Sequence, residues 1–321
     1  MRQSRPHFRL LAAELLVVMA LAVTLLVTLP VRADEEGPLL TGTLKTINDR
    51  GTILIGYRTT ALPFSFLNQA GQPIGFSLDL CHGIAEDVAH ALNRDLLEPD
   101  APSWQSGVRI VYVPVAADER LPKLVSGAID LECGSTTDNA VREKVAAFSP
   151  VFFLAGTKLM VPVDAKTSSY RDLAGGTIVA GAGTTNAEAI RRLVARMTPP
   201  INVVDAPDLN AAYAMLEAGK ANAFASDDIL LYGFIASHPD GKRFRITGDY
   251  LSFEPYAIGL RRDDPAFADL VKASFARMAG EGTLSRLYNR WLVDRLPNGE
   301  KLDLPMSAQL AEMYRVLGQP D

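Results

Sequence analysis

Apolar and polar positions along this chain follow a repeating plan. "TILIGYR" (52–58) is a compact apolar run behind the turn "NDRG", which predicts a strand. In "GFSLDLCHGIAEDVAHALNR" (75–94) apolar residues recur at helical spacing, with Asp79 and Glu86 on the other face. "VRIVYVPV" (108–115) reads as a strand, "ERLPKLVSG" (119–127) as a short helix stopped by Gly127, and "AIDLEC" (128–133) as a third strand. Strand, helix, strand, helix, strand is the pattern of a parallel sheet with crossover helices.

The plan then restarts. "VFFLAGTKLMVPV" (151–163) is a longer extended run, and "GGTIVAGAG" (175–183) is a strand. "TTNAEAIRRLVARM" is a helix with Thr185 and Glu188 at capping-box spacing. "INVVDA", "LNAAYAMLEAG", "ANAFASDD" and "ILLYGFIASH" continue as strand, helix, strand, helix, and 265–292 supplies two closing helices. "LPKLVSGAIDLECGSTT" and "AYAMLEAGKANAFASDD" echo one another as helix, glycine, apolar strand, polar tip. Two similar α/β lobes follow, each with polar residues at a strand's carboxyl end, where open parallel sheets bind ligands. The extended runs near 151–161 and 253–260 are the lobe crossings. One lobe is expected from 42–152 plus 258–295 and the other from 160–252, with hinge strands at 153–159 and 253–257. A tail follows at 296–321, with one amphipathic turn set of Leu310, Met313 and Leu317 that docks on the surface.

The first 33 residues stand apart. Arg2, Arg5 and Arg9 precede an apolar stretch, and Val31 and Ala33 sit where a signal peptidase requires small side chains. This predicts a secretory signal peptide cleaved after Ala33; the rival reading is an uncleaved membrane anchor. Export bears on Cys81 and Cys133, the only cysteines. In an oxidising compartment a helix packed on the sheet would bring them within disulfide range; two buried free thiols are the alternative.

The 321 residues are 48% hydrophobic and 21% charged with a net charge of −5, which is length for about two globular domains and argues against a nucleic-acid partner. The four histidines have no zinc-site spacing, no G-x-S-x-G elbow occurs, and "GAGTTN" lacks the lysine of a phosphate loop. No catalytic set, cofactor motif or metal site emerges. What remains is Arg58, Arg120, Arg142 and the pair Asp227–Asp228, all at strand ends or on the loops just after them. A lone arginine is ordinarily solvated, and an Asp pair ahead of a helix is ordinarily an N-cap.

"RLPKLVSGAIDLECGSTTDNAVREKVAAFSPVFFLAGTKLM", "AGAGTTNAEA", "LEAGKANAFASDD" and "EPYAIGLRRDDPAF" together resemble the periplasmic solute-binding proteins of polar amino-acid ABC importers, in family order and over nearly all the chain after the leader. The likeness is strongest to the glutamate/aspartate branch. It implies a type II periplasmic binding protein fold, α/β with two lobes and two hinge strands. It also implies a monomer that carries no cofactor, performs no catalysis, and hands its cargo to an inner-membrane permease. By the same resemblance Arg142 grips the ligand α-carboxylate, Thr137 and Thr185 add hydroxyl donors, Asp227 takes the α-ammonium, Arg58 and Arg120 face the side-chain carboxylate, and Ser135 shares the pocket. Two positions depart from the branch: Ala117 stands for a serine and Leu209 for a histidine. Together they leave glutamate against aspartate open. Two other functions fit the architecture. One is a periplasmic enzyme such as a cyclohexadienyl dehydratase, with Glu132 or Glu254 as its acid; the other is a receptor's sensor domain.

Overall fold

The computed structural model describes residues 40–320, so the segment read as a signal peptide lies outside the described residues. The chain enters on helix α1 (Gly42–Arg50), and then β1 (Thr52–Tyr57) starts the first sheet. A small antiparallel sheet of β2 (Thr60–Ala61), β3 (Ser65–Leu67) and β4 (Pro73–Ile74) leads into helix α2 (Phe76–Ala91). β5 (Leu96–Leu97), β6 (Val108–Pro114), helix α3 (Arg120–Val125), β7 (Leu131–Glu132) and β8 (Ala146–Phe148) complete this pass. The long strand β9 (Phe153–Pro162) then carries the chain across.

Beyond it lie β10 (Thr177–Gly181), α4 (Thr185–Val194), β11 (Asn202–Ala206), α5 (Leu209–Glu217), β12 (Ala223–Asp227), α6 (Asp228–Ser237) and β13 (Phe244–Thr247). The chain returns by β14 (Phe253–Tyr256) to β15 (Gly259–Arg261), α7 (Pro265–Gly280), α8 (Thr283–Tyr288) and a last helix α9 (Ala308–Val316). The first sheet has the order β5-β6-β1-β7-β15-β8, the second β11-β10-β12-β9-β13. In each, the strands joined by helices run parallel, and the strands next to the crossing run antiparallel. β9 pairs with β14 over its first half and with β12 and β13 over its second, so β9 and β14 are the two strands that cross between the lobes among the described residues. Among the described residues no helix is long and apolar enough to cross a membrane.

The second lobe packs Leu159, Ile178, Ala187, Ile190 and Val194 into one core between the sheet and α4. At the hinge end of the first lobe an aromatic cluster takes over: Phe64 meets Phe153 edge-on at 4.9 Å and Tyr256 at 5.0 Å, and Phe76 meets Phe152 at 5.5 Å. Such edge-on ring pairs stabilise the base of the crossing strands beyond plain area burial. α9 seals that base: Ser307 caps it, Leu310 and Tyr314 are buried, and the Tyr314 hydroxyl donates to the Phe152 carbonyl at 2.7 Å.

Two local readings change. "AIDLEC" pairs as a strand only at Leu131 and Glu132, because the Asp130 carboxylate takes the Leu54 amide at 2.8 Å while pairing with Arg50 and Arg261. The helix expected to be capped by Thr185 is capped one residue earlier: the Thr184 hydroxyl accepts from the Ala187 amide. Thr185 is the first helical residue and its hydroxyl is left for other work. Cys81 and Cys133 are bonded, with α-carbons 6.4 Å apart, so the disulfide reading holds and the free-thiol alternative falls.

Candidate functional site

β7 ends at Glu132, and the next residues turn across the mouth of the first sheet. Gly134 fits there because a side chain would lie 2.6 Å from the Glu132 carboxylate and 2.9 Å from Arg58 Cγ. The disulfide at Cys133 and a 2.7 Å bond from Ser77 Oγ to the Gly134 carbonyl pin this turn to α2. Ser135, Thr136 and Thr137 follow, all buried. Arg142 opens the next turn and sends Nη1 back to the Thr137 carbonyl at 2.8 Å.

A small cleft between the lobes is lined by Arg58, Arg120, Ser135 and Thr137 from the first lobe and by Thr185 and Asp227 from the second. Six of the seven sequence-selected residues line this cleft; Arg142 lies outside the lining and hydrogen-bonds to the Thr137 carbonyl. The lobes are shut around it: the Thr137 and Thr185 hydroxyl oxygens are 3.4 Å apart. Leu209 lines the cleft as well, an apolar face where the resemblance expected a histidine.

The charges are concentrated. Arg58, Arg120 and Arg142 are all nearly excluded from solvent. Burial, and then the charge of Arg120, lowers both Arg58 and Arg142 to about 10. Among the described residues neither the Arg58 nor the Arg120 guanidinium donates a hydrogen bond or joins an ion pair. Glu132 sits beneath them, fully buried, with both carboxylate oxygens lacking any hydrogen-bond donor. An arrangement of clustered cations with open N–H groups favours an anion in the cleft.

Asp227 precedes α6, yet its side chain caps nothing. One oxygen accepts from Asn186 Nδ2 at 2.7 Å and the other from the Tyr256 hydroxyl at 2.5 Å. Burial, and then the negative charge of Glu254, raises its carboxyl to about 7. The Thr137 and Thr185 hydroxyls both donate to one oxygen of Glu254, at 2.5 and 2.6 Å. The hydroxyls read as ligand donors thus have an acceptor of their own.

Asn186, Tyr256 and Ser226 were not picked out from the sequence. Ser226 lines the cleft with a buried hydroxyl that has no partner. Strand alternation held a signal for Tyr256, since Glu254 and Tyr256 are two apart on β14 and share a face. Asn186, directly after Thr185, carried no such mark.

A model of the bacterial extracellular solute-binding proteins, family 3, matches residues 53–294. The L-glutamate/L-aspartate-binding protein of Pseudomonas aeruginosa is 35% identical over 293 residues, covering 91% of this chain and 92% of that one. The glutamate/aspartate import solute-binding protein of Escherichia coli is 30% identical over 286 residues, covering 89% and 90%. Among solved structures, holo ArgBP from T. maritima superposes with a TM-score of 0.62 at 25% identity, covering 77% of this chain and 98% of that one. An ancestral amino acid-binding protein described as a precursor of cyclohexadienyl dehydratase gives 0.65 at 25% identity, covering 78% and 99%. With its two-lobe sheets, its twin crossing strands and this extent of likeness, the chain belongs to the bacterial extracellular solute-binding proteins, family 3.

Proposed function

We propose that this protein is the periplasmic binding component of an ABC importer. It captures L-glutamate or L-aspartate by closing its lobes, then presents the closed form to an inner-membrane permease as a monomer. The observation that carries the ligand class is the pair of buried guanidinium groups, Arg58 and Arg120, with no protein acceptor among the described residues. A distal carboxylate supplies that acceptor. Arg142 and the amides beside it take the α-carboxylate, and Asp227 takes the α-ammonium. The names of the Pseudomonas and Escherichia relatives support the same class.

The lobes meet at the cleft, so a ligand touching Arg58 and Asp227 together makes its full set of contacts only in the closed form. A neutral amide in place of the distal carboxylate would leave two buried cations facing a partial dipole. Mismatches of this kind cost about 2–5 kcal/mol. The dehydratase alternative needs a poised acid free to act on the ligand. Glu254 is engaged by three hydroxyl donors, and Glu132 is sealed beneath the arginines. The cargo leaves unchanged.

Calorimetric titration with the twenty amino acids tests the reading. One-to-one binding of L-glutamate or L-aspartate is expected, with glutamine weaker by at least about 30-fold. Arg120→Met should reduce that discrimination, whereas Arg142→Met should remove binding of every amino acid. Equal affinity for glutamate and glutamine in the native protein would overturn the assignment of Arg58 and Arg120.

A further inference from the structure

Glu254 lies on the return crossing strand β14, opposite Ala155 of β9, and is 1% exposed. Its position is held from the first lobe: the Asp138 amide donates to the Pro255 carbonyl and the Ala257 amide to the Thr136 carbonyl, zipping β14 to the turn that carries Thr137. The Thr137 hydroxyl bond is therefore internal to the first lobe and its hinge. The Thr185 bond is different. Thr185 opens α4 of the second lobe, so its 2.6 Å hydrogen bond to the same carboxylate oxygen spans the gap that opens when the lobes part.

The other oxygen of Glu254 accepts from Ser252 Oγ. Ser252 continues to Thr157 Oγ1 at 2.6 Å, Thr157 to Asn186 Nδ2 at 2.7 Å, and Asn186 to Asp227. The carboxylate thus lies at one end of a buried polar chain running from the crossing strand to the second-lobe acid. The Glu254 oxygen is the acceptor of both bonds, so both threonine hydrogens are spent on it and each hydroxyl turns its lone pairs elsewhere.

We propose that Glu254 is a positioning residue that latches the lobes: its hydrogen bond from Thr185 favours the closed form before any ligand arrives. This rests on the reading of the protein as a two-lobe ligand trap, but not on which ligand it traps. Opening transfers one charge-assisted bond from protein to water, and such a bond shifts an equilibrium by about 10- to 100-fold. A contribution of that size made by the protein itself strengthens ligand binding by up to the same factor, reached in full while the closed form is the minor population, because apparent affinity scales with the closed fraction.

The test uses the full chain with spin labels at one exposed position on each lobe, Val125 and Val163. Inter-label distances are measured without ligand, and L-glutamate affinity is measured alongside. Glu254→Gln and, independently, Thr185→Val should each reduce the ligand-free closed-to-open ratio by about 10-fold or more. For Glu254→Gln the affinity should fall in proportion to the measured drop in the ligand-free closed fraction, with the ligand-saturated distance unchanged. Thr185→Val leaves the hinge strand untouched and decides the question should Glu254→Gln fail to fold. Ligand-free distances that neither variant shifts would overturn the latch, as would an affinity loss in Glu254→Gln with no change in the empty protein. Should L-glutamate and L-aspartate not bind at all, the functional reading fails while the ligand-free distances still judge the latch.

Discussion

Gly233 offers a way to obstruct closure without touching the ligand. It lies within α6 of the second lobe, and a Cβ built there would sit 2.7 Å from the Leu62 carbonyl oxygen and 2.9 Å from Leu62 Cδ2, both on the first lobe. Ordinary contact begins at 3.4 Å. The side chain of Leu62 could turn aside, but its backbone oxygen cannot, so α6 must withdraw by roughly 0.7 Å. Interiors resist such overpacking at about 1–3 kcal/mol. That cost falls on the closed form alone, since parting the lobes removes Leu62 from the helix. Gly233→Ala should therefore weaken L-glutamate or L-aspartate binding by about 5- to 150-fold. The helix itself should gain, because alanine is favoured over glycine in a helix interior by up to about 1 kcal/mol. Calorimetry for affinity and thermal unfolding of the ligand-free protein separate the two effects. The expected result is weaker binding with an unfolding temperature that holds or rises. Full affinity in a folded Gly233→Ala protein would refute the claim that α6 presses on Leu62 when the ligand is held.

Asp227 should make binding pH-dependent. Its carboxyl is raised to about 7 by burial and then by Glu254, whereas an ammonium partner requires the ionised form. Below pH 7 the ligand must displace a proton, so affinity should fall by up to about tenfold per pH unit from 7 to 5. Calorimetry in buffers of differing ionisation heat should count close to one proton released per ligand at pH 6; none released would contradict the assigned contact. Replacing Cys81 and Cys133 by serine opens a loop spanning 52 residues of sequence. It should lower unfolding stability by about 4 kcal/mol in denaturant titrations, and loosen the turn from Gly134 to Thr137 in hydrogen exchange. Ser226→Ala removes a buried hydroxyl with no protein partner, so ligand-free stability should hold; weaker ligand binding would mark a hydroxyl that meets the cargo.

Much of the architecture was open to reading because short continuous apolar runs, bounded by turns, alternate with segments of helical hydrophobic spacing. "TILIGYR" and α2 needed no tertiary information. The strand before Cys133 was read too long because Asp130 replaces a carbonyl in the ladder, and a side chain's choice of partner leaves no periodic trace. The cap of α4 was misplaced by one residue because adjacent threonines are equivalent until the chain turns. The arginines were legible as charges at strand ends. The buried acids were less so: Glu132 and Glu254 stood out by position alone, and a carboxylate shared by two lobes takes its meaning from the angle at which they meet. Asp227 looked like a helix cap and is instead held by Asn186 and Tyr256 from outside its own helix.

The bond from Tyr314 to Phe152 has a practical side for sensor engineering. Because α9 is clamped one residue ahead of β9, a fluorophore fused after it would ride with the first lobe and barely register the swing of the second. Cutting the chain ahead of Ser307 would strip the Phe152 carbonyl of its donor amid phenyl rings. The pivot would then turn on a softened bearing, and the instrument built from it would drift.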